Sequence, residues 1–183
     1  MDRAHTAPLG LAALALTTWM WSMLNAGWYS MAGLGFILAL ALAYGGLMQV
    51  IAGLWEYRRG NTLAGTAFLS YGAFWWAAAV FGARFSGGAT RPLVAWALLL
   101  WGAIFFIVWL AGLRRDILTM LVYLALWIMF ALLAIGLFSA TAAITHLGGY
   151  VGLIAAVLAL YAAAARLVNH CHGRSVLPYG DSA

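Results

Sequence analysis

Residues 92–138 read PLVAWALLLWGAIFFIVWLAGLRRDILTMLVYLALWIMFALLAIGLF, and this stretch decides the fold. Two apolar runs, 92–113 and 117–138, are parted only by Arg114-Arg115-Asp116. Each matches the roughly 20 residues that a helix needs to cross a hydrocarbon core about 30 Å thick. In lipid the backbone has no water to bond to, so a single crossing segment must satisfy its own N–H and C=O groups as an α-helix.

On either side, apolar runs of similar length predict further helices near 61–83, 31–56, 9–26 and 143–168. Arg58-Arg59-Gly60 separates the second from the third and Gly87-Gly88 to Pro92 the third from the fourth, with Asn61 and Thr62 placed to cap the third helix. The first run follows Arg3 and ends in small residues, as a signal peptide does, but exceeds the usual apolar core of about 7–15 residues. The composition agrees: 67% of 183 residues are apolar and 7% charged, against about 45–50% and 25% in soluble domains. The expectation is an all-α integral membrane protein, one domain over 1–183 with six transmembrane helices, its lipid environment the plasma membrane, or the inner membrane of a Gram-negative cell.

All nine basic residues are arginine, and the net charge is +5. Arg3, Arg58, Arg59, Arg114, Arg115, Arg166 and Arg174 fall on one side of the predicted topology, with only Arg84 and Arg91 opposite. The positive-inside bias then puts both termini in the cytoplasm. Arginines in singles and pairs between apolar runs lack the clustered basic face that nucleic acid requires. Cys171 stands alone, so no intrachain disulfide forms. The run His170-Cys171-His172 falls short of the four ligands of a structural zinc site, and no metal or other cofactor is expected. Nucleophiles, bases and metal ligands are too dispersed for an enzyme.

Trp28, Tyr29, Trp55, Tyr57, Trp96 and Trp109 fall near predicted helix ends, where amphipathic rings settle among headgroups, while Trp75, Trp76, Trp101 and Trp127 lie deeper and read as packing or lipid-facing. Polar residues inside the helices line up in stripes. Leu14, Thr18, Ser22 and Asn25 share a face of the first helix, and Gly45, Gln49, Gly53 and Glu56 a face of the second. The third carries Thr66 and Ser70 with Tyr71 beside Ser70, and the fifth Thr119, Tyr123, Leu126 and Phe130. Thr145, Gly149, Gly152, Ala156, Ala159 and Ala163 make a seam of small residues on the sixth, suited to close backbone approach. Such stripes serve helix contacts or line a solute path. Read as a path, they assign Thr18, Ser22, Asn25, Gln49, Ser70, Tyr71, Tyr123 and Ala159 to it. No charged residue lies near the middle of any helix, which excludes a buried carboxylate relay. His146 is the group at the membrane edge that titrates near neutral pH, and so the candidate for proton coupling.

The order of motifs resembles the acetate uptake transporter family, the acetate/succinate permeases. His5-Thr6-Ala7-Pro8-Leu9-Gly10-Leu11 is similar to the family's Asn-Pro-Ala-Pro-Leu-Gly-Leu signature, with His5 and Thr6 in place of Asn and Pro. Tyr44-Gly45-Gly46, Gln49, Glu56-Tyr57, Gly60-Asn61-Thr62 and Ser70-Tyr71-Gly72 resemble its second block, and Phe130 to Gly136, His146, Gly152-Leu153-Ile154 and Gly173 to Pro178 continue it. The resemblance implies a homohexamer of six-helix protomers, each around its own central pore, passing acetate and to some degree succinate or other short carboxylates such as propionate or lactate; protons are a candidate partner through His146. It implies an apolar constriction at Leu14, Tyr71 and Leu126, where Leu14 replaces the family's aromatic residue. A channel for neutral solutes such as urea or amides is the second reading, since hexameric urea channels share the build; a membrane scaffold is the third.

Overall fold

The structure, a computed structural model, describes residues 6–180; His5, one of the two departures from the family signature, lies outside them. The described residues hold six helices apolar enough to cross a bilayer: α1 Ala7–Asn25, α2 Met31–Arg58, α3 Thr62–Phe85, α4 Arg91–Ala111, α5 Ile117–Phe138 and α6 Ala142–His172. The fifth span matches its sequence reading at both ends, and the others differ from theirs by one to four residues at an end.

Local chemistry explains where the helices start and stop. Asn61 caps α3 through its side-chain oxygen, which accepts from the Ala64 N–H at 3.3 Å. Asp116 caps α5 more fully, its two oxygens accepting from the Thr119 N–H at 2.9 Å and the Thr119 hydroxyl at 3.0 Å. Pro8 and Pro92 occupy first turns, where their missing N–H costs nothing. α6 continues to His172 because helicity outlasts hydropathy, and Gly173 then ends it at φ 62°. Beyond it the chain folds back: Asn169 accepts from the Val176 and Leu177 N–H groups and donates to the Leu177 carbonyl, while the Tyr161 hydroxyl donates to the Pro178 carbonyl at 2.8 Å.

α2 is not regular. It opens with a 3₁₀ turn at Met31–Gly33 and contains a π-helical stretch at Ala41–Gly46. The wide turn brings Gly45 against Thr17 of α1 and Gly46 against Trp76 of α3, whose indole N–H donates to the Leu42 carbonyl at 3.1 Å. That side-chain bond helps satisfy a backbone group at the irregularity.

The helices form a ring in chain order. α1 packs on α6 and α2, α6 on α5, α5 on α4, and α2 on α3, while the α3–α4 seam is the loosest. The small-residue seam of α6 makes the closest approach: a Cβ on Gly149 would meet the backbone of Asn25–Ala26, and one on Gly152 would meet Ser22 of α1 and Met129 of α5. An even number of spans leaves the starts of α1, α3 and α5 at one end, here the basic end, with Arg58, Arg59, Arg114, Arg115, Arg166 and Arg174. Arg84 and Arg91 lie at the opposite end.

Candidate functional site

Across the middle of the ring lies a packed layer. Leu14, Tyr71 and Leu126 are all fully buried and belong to one continuous cluster with Phe68, Phe74, Trp75, Phe105, Met129 and Phe130. Tyr71 is its hub, with ring centroids 5.6 Å from Phe74, 5.2 Å from Phe105 and 6.0 Å from Phe130. Its hydroxyl shares a hydrogen bond with that of Thr18 at 2.8 Å, which joins two residues the stripes placed on different helices.

On the opposite-end side of this layer is a chamber of about 560 Å³ to which all six helices contribute. It is bounded by Trp21 and Asn25 of α1, Leu38 of α2, Phe74 and Phe81 of α3, Leu98 and Trp101 of α4, Leu133 of α5 and Thr145 of α6. A mouth of about 290 Å³ adjoins it, sharing Trp21, Asn25, Met31 and Thr145 and adding His146. The Asn25 amide nitrogen donates to the Trp21 carbonyl at 3.0 Å. His146 is exposed, beside the tight turn at Gly27.

At the basic end a second opening, of about 550 Å³, is polar and lined by Glu56, Arg59, Asn61, Asp116, Arg166, Asn169, His170 and Tyr179 among others. Glu56 is buried and accepts from the Thr6 hydroxyl and the Asn61 amide, both at 2.8 Å. Thr6, which departs from the family's proline, is thereby a donor at this mouth. Arg166 bonds the Thr119 hydroxyl and pairs with Asp116 at 2.9 Å, clamping the end of α6 to the start of α5. The Arg166–Asp116 pair was not singled out from sequence. Arg166 counts there only as a topology charge, and the spacing between it and Asp116 carries no helical signal.

Gln49 is completely buried, and neither its amide nitrogen nor its oxygen has a hydrogen-bond partner among the described residues. Gly45 lies against Thr17 of α1 and Gly53 against Leu69 of α3, so Gln49, between them in sequence, looks into the angle between those helices. The hydroxyls of Thr17 and Ser22 are likewise buried without partners among the described residues. Tyr123 and Ala159 are buried on the inner faces of α5 and α6. Ser70 is half-buried and lies about 100° around α3 from Tyr71, away from the layer's hub; its neighbour in the stripe, Thr66, bonds the Tyr57 hydroxyl on an exposed face. Trp101, read as packing or lipid-facing, lines the chamber. Among the described residues no group of His, Cys, Asp and Glu side chains is arranged to hold a metal.

Comparison with known proteins places this geometry. The GPR1/FUN34/yaaH family profile matches residues 1–178. The chain is 38% identical to the succinate-acetate/proton symporter SatP of Escherichia coli K12, over 98% of this chain and 96% of that one. It is 34% identical to acetate permease A of Emericella nidulans, spanning 96% of this chain and 65% of that longer protein. The solved structure of the bacterial acetate channel SatP superposes with a TM-score of 0.92 at 37% identity, covering 98% of this chain and all of the other. A profile match over residues 1–178, 38% identity to SatP and a shared six-helix fold agree: the chain belongs to the GPR1/FUN34/yaaH family.

Proposed function

We propose that this protein carries acetate and related small carboxylates, succinate among them, across the plasma membrane, with its basic end in the cytoplasm. The observation that carries the reading is the likeness to SatP along the whole chain, in sequence and in structure. The cytoplasmic assignment rests on the excess of arginine at the basic end. Residues 1–183 act as one transport unit, and the protomers assemble as a homo-oligomer, a hexamer by family resemblance, each with its own path through the ring.

The path runs from the His146 mouth past Asn25 and Ser22 to the Thr18–Tyr71 pair, through Leu14, Tyr71 and Leu126, and along Tyr123, Ala159 and Gln49 to the Arg166 opening. Ser70 belongs to it only if α3 turns during transport. Parting the Thr18–Tyr71 bond frees two hydroxyls for a carboxylate, and the unpartnered Gln49 amide supplies another donor. Two leucines and a phenol are poorly wetted, which opposes hydrated ions more than a small carboxylate. His146, exposed at the outer mouth, is the candidate site of proton exchange.

Purified protein in liposomes tests this, with labelled acetate and labelled urea compared while the pH gradient and the membrane potential are varied separately. Acetate flux well above urea flux is expected, and acceleration by an inward proton gradient at zero potential would assign proton coupling. Urea flux without acetate flux would overturn the reading in favour of a neutral-solute channel. An intact oligomer passing neither would make the protein a scaffold.

A further inference from the structure

We propose that the outer chamber is a binding site for unbranched monocarboxylates of about four to eight carbons, which lodge above the Leu14–Tyr71–Leu126 layer and block it from the outside. The blocking half rests on the proposed transport path; the binding half does not.

Size is the first argument. At about 560 Å³ the chamber lies within the roughly 300–1,000 Å³ of sites that enclose small molecules, far more than a two-carbon acid fills. Its length points the same way. Phe81 stands near the mouth and Phe74 at the floor, seven residues apart on α3, or roughly 10 Å along a helix axis, about the span of an extended eight-carbon chain.

The lining sorts a ligand by its two ends. Between mouth and floor the walls are apolar, with Leu38, Leu98, Trp101 and Leu133 facing the space. The polar groups are gathered at the top, where Asn25 and Thr145 line the chamber and His146 the adjoining mouth. Charge there is of one sign: Arg84 follows the lining residue Gly82 by two positions and Arg91 precedes Leu93 by two, both arginines are exposed, and the described acids, Glu56 and Asp116, lie at the basic end. A carboxylate head therefore sits at the top with its tail pointing down.

The floor keeps a long tail from going further. Phe74 stacks on Tyr71, which Thr18 holds by its hydroxyl, so a chain that fills the chamber ends against the closed layer. Acetate has one methyl group to bury and leaves readily. Each added methylene taken out of water should tighten binding about fourfold until the chamber is full.

The test uses the full-length protein in liposomes and reads two quantities. The first is quenching of tryptophan fluorescence by 6-bromohexanoate, whose bromine reaches the depth of Trp101. The second is inhibition of labelled acetate exchange by external butanoate, hexanoate and octanoate. Quenching that saturates and falls in Trp101→Phe is expected, with inhibition strengthening about fourfold per methylene. Ala78→Phe, which fills the chamber, should weaken both about tenfold. Leu98→Ala, which enlarges it, should move the strongest inhibition to a longer chain. Equal potency of hexanamide would overturn the carboxylate assignment. Quenching by a phospholipid with a brominated acyl chain, but not by 6-bromohexanoate, would show that bilayer lipid enters through the loose α3–α4 seam, and would overturn the site. Acetate flux with no quenching and no inhibition would do so too and leave the transport reading standing. Quenching without any acetate flux would keep the site and remove the transport reading.

Discussion

At position 49 a primary amide is buried with neither end hydrogen-bonded among the described residues, a condition that costs about 1–3 kcal/mol. Leucine there removes the unsatisfied group and a donor to solute together. Gln49→Leu should therefore stabilise the folded protein by about 1–3 kcal/mol and lower acetate flux, a combination read by thermal unfolding in detergent and uptake in liposomes. Lower stability with normal flux would show that the amide has a structural partner. A second residue stores strain without a role in transport. Ala140, in the short link between α5 and α6, has φ 54°, where a Cβ costs about 1–2 kcal/mol. Ala140→Gly should raise stability by about 1 kcal/mol and leave flux unchanged, as unfolding and uptake measured side by side would report.

Among the elements, the start of α5 is legible because the charged Arg114-Arg115-Asp116 link interrupts the apolar run, while the cap that Asp116 forms there emerges only from the structure. α2 was legible only as a span. Its π-helical turn changes hydrogen-bond register without changing hydropathy, and nothing in Tyr44-Gly45-Gly46 separates a wide turn from ordinary close packing. The end of α6 was missed because the apolar run stops before the helix does. The small-residue seam of α6 packs closely at Gly149 and Gly152, and it carries a prediction: a leucine at Gly152 must displace Ser22 and Met129 together. Gly152→Leu should destabilise by about 1–3 kcal/mol or more, seen as a lower unfolding temperature and loss of the oligomer peak. The folded-back C-terminal segment hangs on Asn169 by three hydrogen bonds, each worth about 1 kcal/mol. Asn169→Ala should release it, and limited trypsin digestion after Arg174 should become about tenfold faster or more.

On the scale of the whole molecule, the ring and the two openings follow from six membrane-length spans, with the buried polar residues of α1, α2 and α5 turned toward neighbouring helices. Composition and spacing pointed to the polar stripes. They could not show that Thr18 would meet Tyr71, because pairing across helices depends on how each one is rotated about its axis. The same blindness hid the Arg166–Asp116 clamp and the chamber on the outer side of the layer. Leucine in place of an aromatic ring at position 14 makes this layer wider than an aromatic there would, so the protein should accept a broader range of carboxylates. The most direct check on a route through Leu14, Tyr71 and Leu126 is the ratio of lactate to acetate uptake in liposomes by Leu126→Ala and Leu14→Phe. The account predicts a ratio above the parent's for Leu126→Ala and below it for Leu14→Phe; folded, assembled variants that both keep the parental ratio would contradict it.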